Sequence, residues 1–309
     1  MSAENLRGLR VMAVHAHPDD ESITMGGTLS RMARAGADVT VVTCTLGEQG
    51  EVIGDTWNNL IAEHADQLGG YRISELNQAL AELGVHGEFL GGAGRYRDSG
   101  MEGDPANNHP RAFIHSSSSA LAELKKLITR LQPHLFFTYG PEGGYGHPDH
   151  IQAHQLSVRA LADVAEETQW KPDRVLYTYV DTETQLAGLE SIRVVPEGWR
   201  RGEPAELPSN SGMQCCVPLS DEDFGAKIRA MKAHATQIWI ADGDSSRTNP
   251  HRAFAVVDDS SSCAAVWALS NLIAQPLAKR EFFHVAQGIT ILDDLSLPWE
   301  GLEWTNEDN

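Results

Sequence analysis

Residues 9–21 read Leu9-Arg10-Val11-Met12-Ala13-Val14-His15-Ala16-His17-Pro18-Asp19-Asp20-Glu21. A largely apolar run of strand length breaks off into imidazoles and carboxylates. A second polar run, His147-Pro148-Asp149-His150, stands about 130 residues later. Charged and polar groups packed this densely are costly to bury unless each finds a partner. A catalytic metal supplies one, so the two runs read as halves of one metal site.

Working outward, apolar runs of strand length alternate with stretches of helical period through the first 180 residues, which predicts an α/β fold. The expected architecture is a Rossmann-like, mostly parallel sheet with helices on both faces. Strands are predicted near 9–14, 39–45, 87–90, 135–139 and 175–180, and helices near 22–35, 57–83, 118–131 and 150–167. The Ser116–Ser119 run offers hydroxyls to cap the third helix. Beyond Val180 the pattern weakens. A helix is expected over 221–236, another near 262–273, and a strand at 282–285. The chain is read as one domain, 1–309, with an α/β core over 1–180 and a C-terminal subregion over 181–309 that walls the pocket.

Composition narrows the function. The chain has 309 residues, 41% of them hydrophobic, and a formal charge of -19. That charge repels phosphate backbones, and no basic stripe offsets it, which argues against nucleic acid. No stretch approaches a membrane span and no secretory signal opens the sequence. The four cysteines, Cys44, Cys215, Cys216 and Cys263, lack zinc-finger spacing and fit reduced thiols in a cytoplasmic protein. A small polar ligand is the expected partner; the oligomeric state is not legible.

In an open parallel sheet the ligand sits beyond the carboxyl ends of the strands, where both polar runs fall. His17, Asp20 and His150 then supply two nitrogens and one oxygen to a divalent ion and leave a position open, a hydrolytic arrangement. The donor set accepts zinc, ferrous iron, cobalt or manganese. Asp19 is left facing the open position as a general base toward water attacking a carbonyl. His147, oriented by Asp149 as an imidazolium, is placed to stabilise an oxyanion and protonate a leaving amine. Tyr145 can donate its hydroxyl to the same oxygen, while His154 reads as a packing residue.

Rival chemistries lack their signatures. A dinucleotide site needs a glycine-rich turn after the first strand, which here is His-Pro-Asp-Asp. No HExxH motif, Walker loop or nucleophile elbow occurs.

The pair Ala16-His17-Pro18-Asp19-Asp20-Glu21 and His147-Pro148-Asp149-His150 resembles the LmbE-like (PIG-L) deacetylase family, metal-dependent enzymes that remove N-acyl groups from amino sugars. Further segments, among them His64–Arg72, Gly91–Arg95, Arg97–Met101 and Gly143–His147, with a weaker echo at Ala233–Gln237, resemble its mycothiol-pathway branch. That likeness implies deacetylation of N-acetylglucosaminyl-inositol to the free amine and acetate. It places metal ligands on His17, Asp20 and His150, the base on Asp19, and electrostatic partners on Tyr145, His147 and Asp149. It also implies substrate contacts from Arg72 and Asp98, and one divalent metal per subunit, with zinc favoured and ferrous iron the alternative. A neighbouring branch, the mycothiol S-conjugate amidases, tends to carry Lys where this chain has Thr24. Amidase activity and a non-catalytic metal- or sugar-binding role are the alternative readings.

Overall fold

The computed structural model describes residues 4–289 and 296–304. The remaining residues of the expected 1–309 span lie outside it. Strands β1 (Arg10–His15), β2 (Asp38–Thr43), β3 (His86–Phe89), β4 (Leu135–Tyr139) and β5 (Arg174–Tyr179) run parallel in the order β3-β2-β1-β4-β5. Two later strands, β6 (Cys215–Pro218) and β7 (Arg280–Gly288), extend the sheet antiparallel, with β7 between β5 and β6. The sheet is therefore mostly parallel, as the alternating pattern predicts, and recruits two of its strands from beyond residue 180.

Helices cover both faces. Alternate residues of β1 face opposite layers, as strand geometry requires. Val11 and Ala13 pack with Met25 and Leu29 of α1 (Asp20–Arg34), Leu80 of α2 (Leu68–Leu83) and Met231. Met12 and Val14 pack with Leu124 of α3 (Ser117–Leu131) and Leu156 of α4 (Pro148–Thr168). Burial on both faces is why β1 reads as a continuous apolar run. Each fully buried aliphatic side chain of this kind contributes roughly 1.5–3 kcal/mol. The C-terminal third adds α5 (Thr182–Ser191), which packs over a small sheet, and α6 (Asp221–Ala233), which joins α1 and α2. That small sheet runs in the order Arg200–Arg201, Ile273–Leu277, Ala265–Ala268, Trp239–Ile240.

Three local expectations are corrected. The helix predicted over 57–83 begins only at Leu68, because Asp66 takes a left-handed φ of 52° and breaks the chain after a short 3-10 turn. The helix predicted near 262–273 is instead two antiparallel strands, Ala265–Ala268 and Ile273–Leu277, joined by a turn in which Leu272 has φ 52°. A short apolar run cannot distinguish the two states by period. Ser116 precedes α3 but makes no capping hydrogen bond, and its hydroxyl donates to the Ala112 carbonyl at 3.2 Å.

From β1 the chain steps to β2 and β3 on one side, and from β4 to β5 on the other. The loops after β1 and β4 part at that reversal and open a crevice. Both polar runs stand in it.

Candidate active site

β1 delivers its polar run through a strained turn. Asp19, the residue before α1, has φ 111°, a left-handed value that a non-glycine residue adopts only when its surroundings impose it. Its amide donates to Glu21 Oε2 at 3.0 Å, and its carboxylate makes no capping bond, so it is free to face the cavity. Arg72 of α2 holds that carboxylate at 3.1 Å and also donates to the Pro18 and Gly47 carbonyls. Burial raises the Asp19 pKa to about 7, opposed by Arg72 and reinforced by Asp20.

β4 delivers the second run. At Gly143, with φ 65°, a Cβ would stand 2.8 Å from the His150 Cβ and 2.9 Å from the Ile151 nitrogen, so only glycine lets the loop close onto α4. Its carbonyl lies 3.1 Å from His150 Nδ1. A proton donated from Nδ1 leaves the Nε2 lone pair aimed into the site.

Three ligand atoms converge there. His17 Nδ1 lies 3.1 Å from His150 Nε2 and 3.5 Å from Asp20 Oδ2, and His150 Nε2 lies 3.4 Å from that same oxygen. Ligands about 2.0–2.2 Å from a tetrahedral ion stand roughly 3.3–3.6 Å from one another, so the trio fits a divalent cation. The other His17 nitrogen, Nε2, lies 3.4 Å from Asp149 Oδ2 and 3.6 Å from Asp98 Oδ1. That is the carboxylate–histidine arrangement that fixes a metal-ligating tautomer. Two other groupings occur, His17 with His147 and His150, and His17 with Asp98 and Asp149. The carboxylates engaged behind Nε2, and the position of His150 Nε2 and Asp20 Oδ2 on the Nδ1 side, favour the set with Asp20.

Electrostatics suit a cation. Burial opposes the charge on Asp20, but His150 and His17 outweigh it and hold the carboxyl well below the usual range. Burial also disfavours a charged His17, yet Asp98, Asp149 and Asp20 carry its pKa well above the ordinary value. His150 is pushed down to about 4 and His147 to about 3, in each case mainly by burial.

The remaining expected residues fall around this centre with some changes of role. Asp149 does not orient His147 with its carboxylate, which accepts from the Ser99 amide at 2.9 Å and faces His17. Its backbone amide donates to His147 Nδ1 at 3.1 Å, so the neutral imidazole presents an Nε2–H donor rather than the imidazolium expected. Tyr145 stands half-exposed at the mouth, edge-on to His150 with centroids 5.0 Å apart. Desolvation and then Asp20 hold its phenol above the usual pKa, so it stays a donor. Arg72 and Asp98 both line the cavity. Arg72 is committed to Asp19 and two carbonyls, and Asp98 accepts from the Gln49 and Gly100 amides. His154 packs, with Nδ1 2.9 Å from the Tyr139 carbonyl.

Tyr139 went unnoticed in the sequence. It ends β4 and is almost wholly buried. Its hydroxyl accepts from the Ala16 amide at 2.7 Å and meets Asp20. The signal was available, since it closes the strand that leads to the second run. The site opens into a cavity of about 770 Å³ that runs on to Trp267, Leu269 and Phe282 in the C-terminal third. That volume lies within the range of small-molecule sites. Among the described residues no helix is long and apolar enough to cross a membrane.

The family described as GlcNAc-PI de-N-acetylase matches residues 12–161, which span both polar runs. The 1D-myo-inositol 2-acetamido-2-deoxy-alpha-D-glucopyranoside deacetylase of Corynebacterium efficiens is 53% identical over 300 residues, covering 97% of this chain and 95% of that protein. The protein of the same name from Corynebacterium glutamicum strain R is 52% identical over 304 residues, covering 98% and 100%. Among solved structures, the N,N'-diacetylchitobiose deacetylase from Pyrococcus horikoshii aligns with a TM-score of 0.47 at 20% identity, covering 73% of this chain and 69% of that one. Identity above one half along almost the whole length settles the membership: this chain belongs to the GlcNAc-PI de-N-acetylase (PIG-L) family of deacetylases.

Proposed function

We propose that the protein removes the acetyl group from N-acetylglucosaminyl-inositol (1D-myo-inositol 2-acetamido-2-deoxy-alpha-D-glucopyranoside), releasing acetate and the free amine as a step of mycothiol biosynthesis in the cytoplasm. Relatives carrying that name at about half identity support the substrate. The observation that carries the chemistry is the trio His17 Nδ1, Asp20 Oδ2 and His150 Nε2, mutually 3.1–3.5 Å apart, in one cavity with Asp19.

The reading assigns His17, Asp20 and His150 to a divalent metal, zinc by preference and ferrous iron as the alternative. When bound, such an ion polarises the amide carbonyl and acidifies water. Asp19 accepts the proton of the attacking water, and its raised pKa suits a base working near neutrality. The His147 Nε2–H and the Tyr145 hydroxyl donate to the oxygen on which charge develops. The proton taken up by Asp19 is then available to the departing amine. Asp98 and Asp149 hold His17, Arg72 holds Asp19, and both Arg72 and Asp98 present surface to the sugar. The chain acts as one domain in this scheme, because both the α/β core and the C-terminal third line the cavity.

Thr24, where the amidase branch tends to carry Lys, lines the cavity and donates to the Asp20 carbonyl at 2.7 Å. The deacetylase reading is favoured on that account. The test is amine release from the acetamido substrate and, side by side, from a mycothiol S-conjugate, after chelation and after zinc or ferrous iron is returned. Metal-restored turnover mainly of the acetyl substrate is expected. Preference for the conjugate would transfer the protein to the amidases, and silence on both would refute the substrate.

A further inference from the structure

The segment Ala233–Gln237 has no part in the scheme so far, although it docks directly behind the catalytic turn. His234 closes α6, is fully buried, and points Nε2 at Glu21 Oε1 from 2.9 Å. Among the described residues its Nδ1 has no hydrogen-bond partner, so Glu21 is the one polar group its ring serves. Glu21, also fully buried, uses its other oxygen to accept the Asp19 amide at 3.0 Å, while the Ser22 hydroxyl donates to Oε1 at 2.5 Å.

The ring is itself fixed. The amides of Gln237 and Ile238 donate to the His234 carbonyl at 2.9 and 2.8 Å. The Thr236 amide and hydroxyl donate to Glu75 on α2 at 2.9 and 2.7 Å, and Gln237 Nε2 donates to the Glu51 carbonyl at 2.8 Å. A rigid turn of the C-terminal third thus holds an imidazole against the carboxylate that grips Asp19 at its left-handed φ of 111°. A conformation of that kind persists only when its neighbours over-determine it. Side chains hold Asp19 at two points, Arg72 on its carboxylate and Glu21 on its amide, while its carbonyl accepts the Ser22 and Ile23 amides at 3.0 and 2.9 Å.

We propose that His234 is a positioning residue for the reaction, acting through Glu21 to keep the Asp19 turn in the strained form that aims the base into the cavity. The proposal rests on the deacetylase reading above. Burial opposes a charge on His234, but Glu21, with Asp19 and Glu75 behind it, outweighs this and raises its pKa, so a charge-assisted bond to Glu21 is available.

The test compares the full-length zinc-loaded protein with His234→Ala and His234→Gln, whose amide restores an N–H donor toward Glu21. The Ala variant should lose roughly tenfold to a hundredfold in kcat, with KM and zinc content within about twofold of wild type. The Gln variant should recover to within a few-fold. An unchanged kcat for the Ala variant, or a Gln variant that binds zinc normally yet is no better than Ala, would overturn the positioning role. If the Ala protein does not fold, His234→Asn, whose shorter amide falls short of Glu21, takes its place with the same outcomes. A wild-type protein silent on the acetamido substrate would overturn the deacetylase reading and this inference with it. An active wild type matched by its Ala variant would overturn the inference alone.

Discussion

The Tyr139 hydroxyl donates to Asp20 Oδ2 at 2.6 Å while its ring stacks on His150, with centroids 4.2 Å apart and planes 18° from parallel. One side chain at the end of β4 therefore touches two of the three proposed ligands. Tyr139→Phe keeps the stacked ring and removes the donor. Loss of a hydrogen bond behind a metal ligand commonly costs about 10–100-fold in affinity, and that loss is expected here. Competition with a chromophoric chelator measures it, and an unaltered zinc affinity would remove Tyr139 from the metal site.

Asp19→Asn should reduce kcat by about 10²–10⁴-fold, the usual contribution of a positioned general base. Asp19 is not among the proposed ligands, so zinc bound per chain should stay at the wild-type level. Elemental analysis beside steady-state kinetics separates the two effects. Turnover within a few-fold of wild type would exclude Asp19 as the base.

The same residue predicts a pH-dependent stability in the metal-free protein. With a native pKa raised to about 7 from an ordinary 3.8, the folded state keeps a proton that the unfolded chain has already lost between those values. The folded state binds more protons there, so this group subtracts stability as pH rises from about 4 to about 7. Asp19→Asn removes the subtraction. The metal-free variant should gain on wild type across that window, by on the order of 1–4 kcal/mol at pH 8. Urea titrations at both ends of the window would show it, and a constant gap between the proteins would contradict the raised pKa.

Glu281 of β7 reaches into α1, where the helix is interrupted at Met25 with φ -148°. Its carboxylate accepts the Gly27 amide at 3.0 Å and the Thr28 amide at 2.6 Å, and pairs with buried Lys227 at 2.5 Å. Removing one partner of a buried ion pair typically costs about 3–5 kcal/mol. Glu281→Gln should lose that much in a denaturant titration; a loss below about 1 kcal/mol would mean that Lys227 finds another partner.

Gly143→Ala tests the loop that seats His150. The new methyl would enter the space of the His150 Cβ at a positive φ, so metal binding and turnover should both fall, the former by tenfold or more. Isothermal titration with zinc reads the first, and wild-type affinity would show that the loop shifts freely.

Much of this was written in the chain. β1 and β4 stand within a residue of their predicted places because strands buried on both faces are apolar throughout. The clusters at their ends singled out His17, Asp20 and His150 as candidates, since polar groups crowded where a buried apolar strand ends need partners that the core does not supply. What was not legible depends on distant partners. Glu21 and His234 meet across 213 positions, and neither neighbourhood hints at the other. The contact of Arg72 with Asp19 was not legible either, because it depends on side-chain direction, which spacing does not encode. Ala265–Ala268 reads as helix or strand alike until an antiparallel neighbour decides it.

The position of β7 has a consequence for synthesis of the protein on the ribosome. The last strand among the described residues lies inside the sheet, between β5 and β6, so the outer edge of β5 waits unpaired until residues 280–288 emerge. The ends of β1 and β4 can meet far earlier. The nascent chain therefore carries all three proposed metal donors together while one hydrogen-bonding edge still lies open to foreign strands. A message cut short before residue 280 would release a polypeptide with that adhesive edge and no means of closing it.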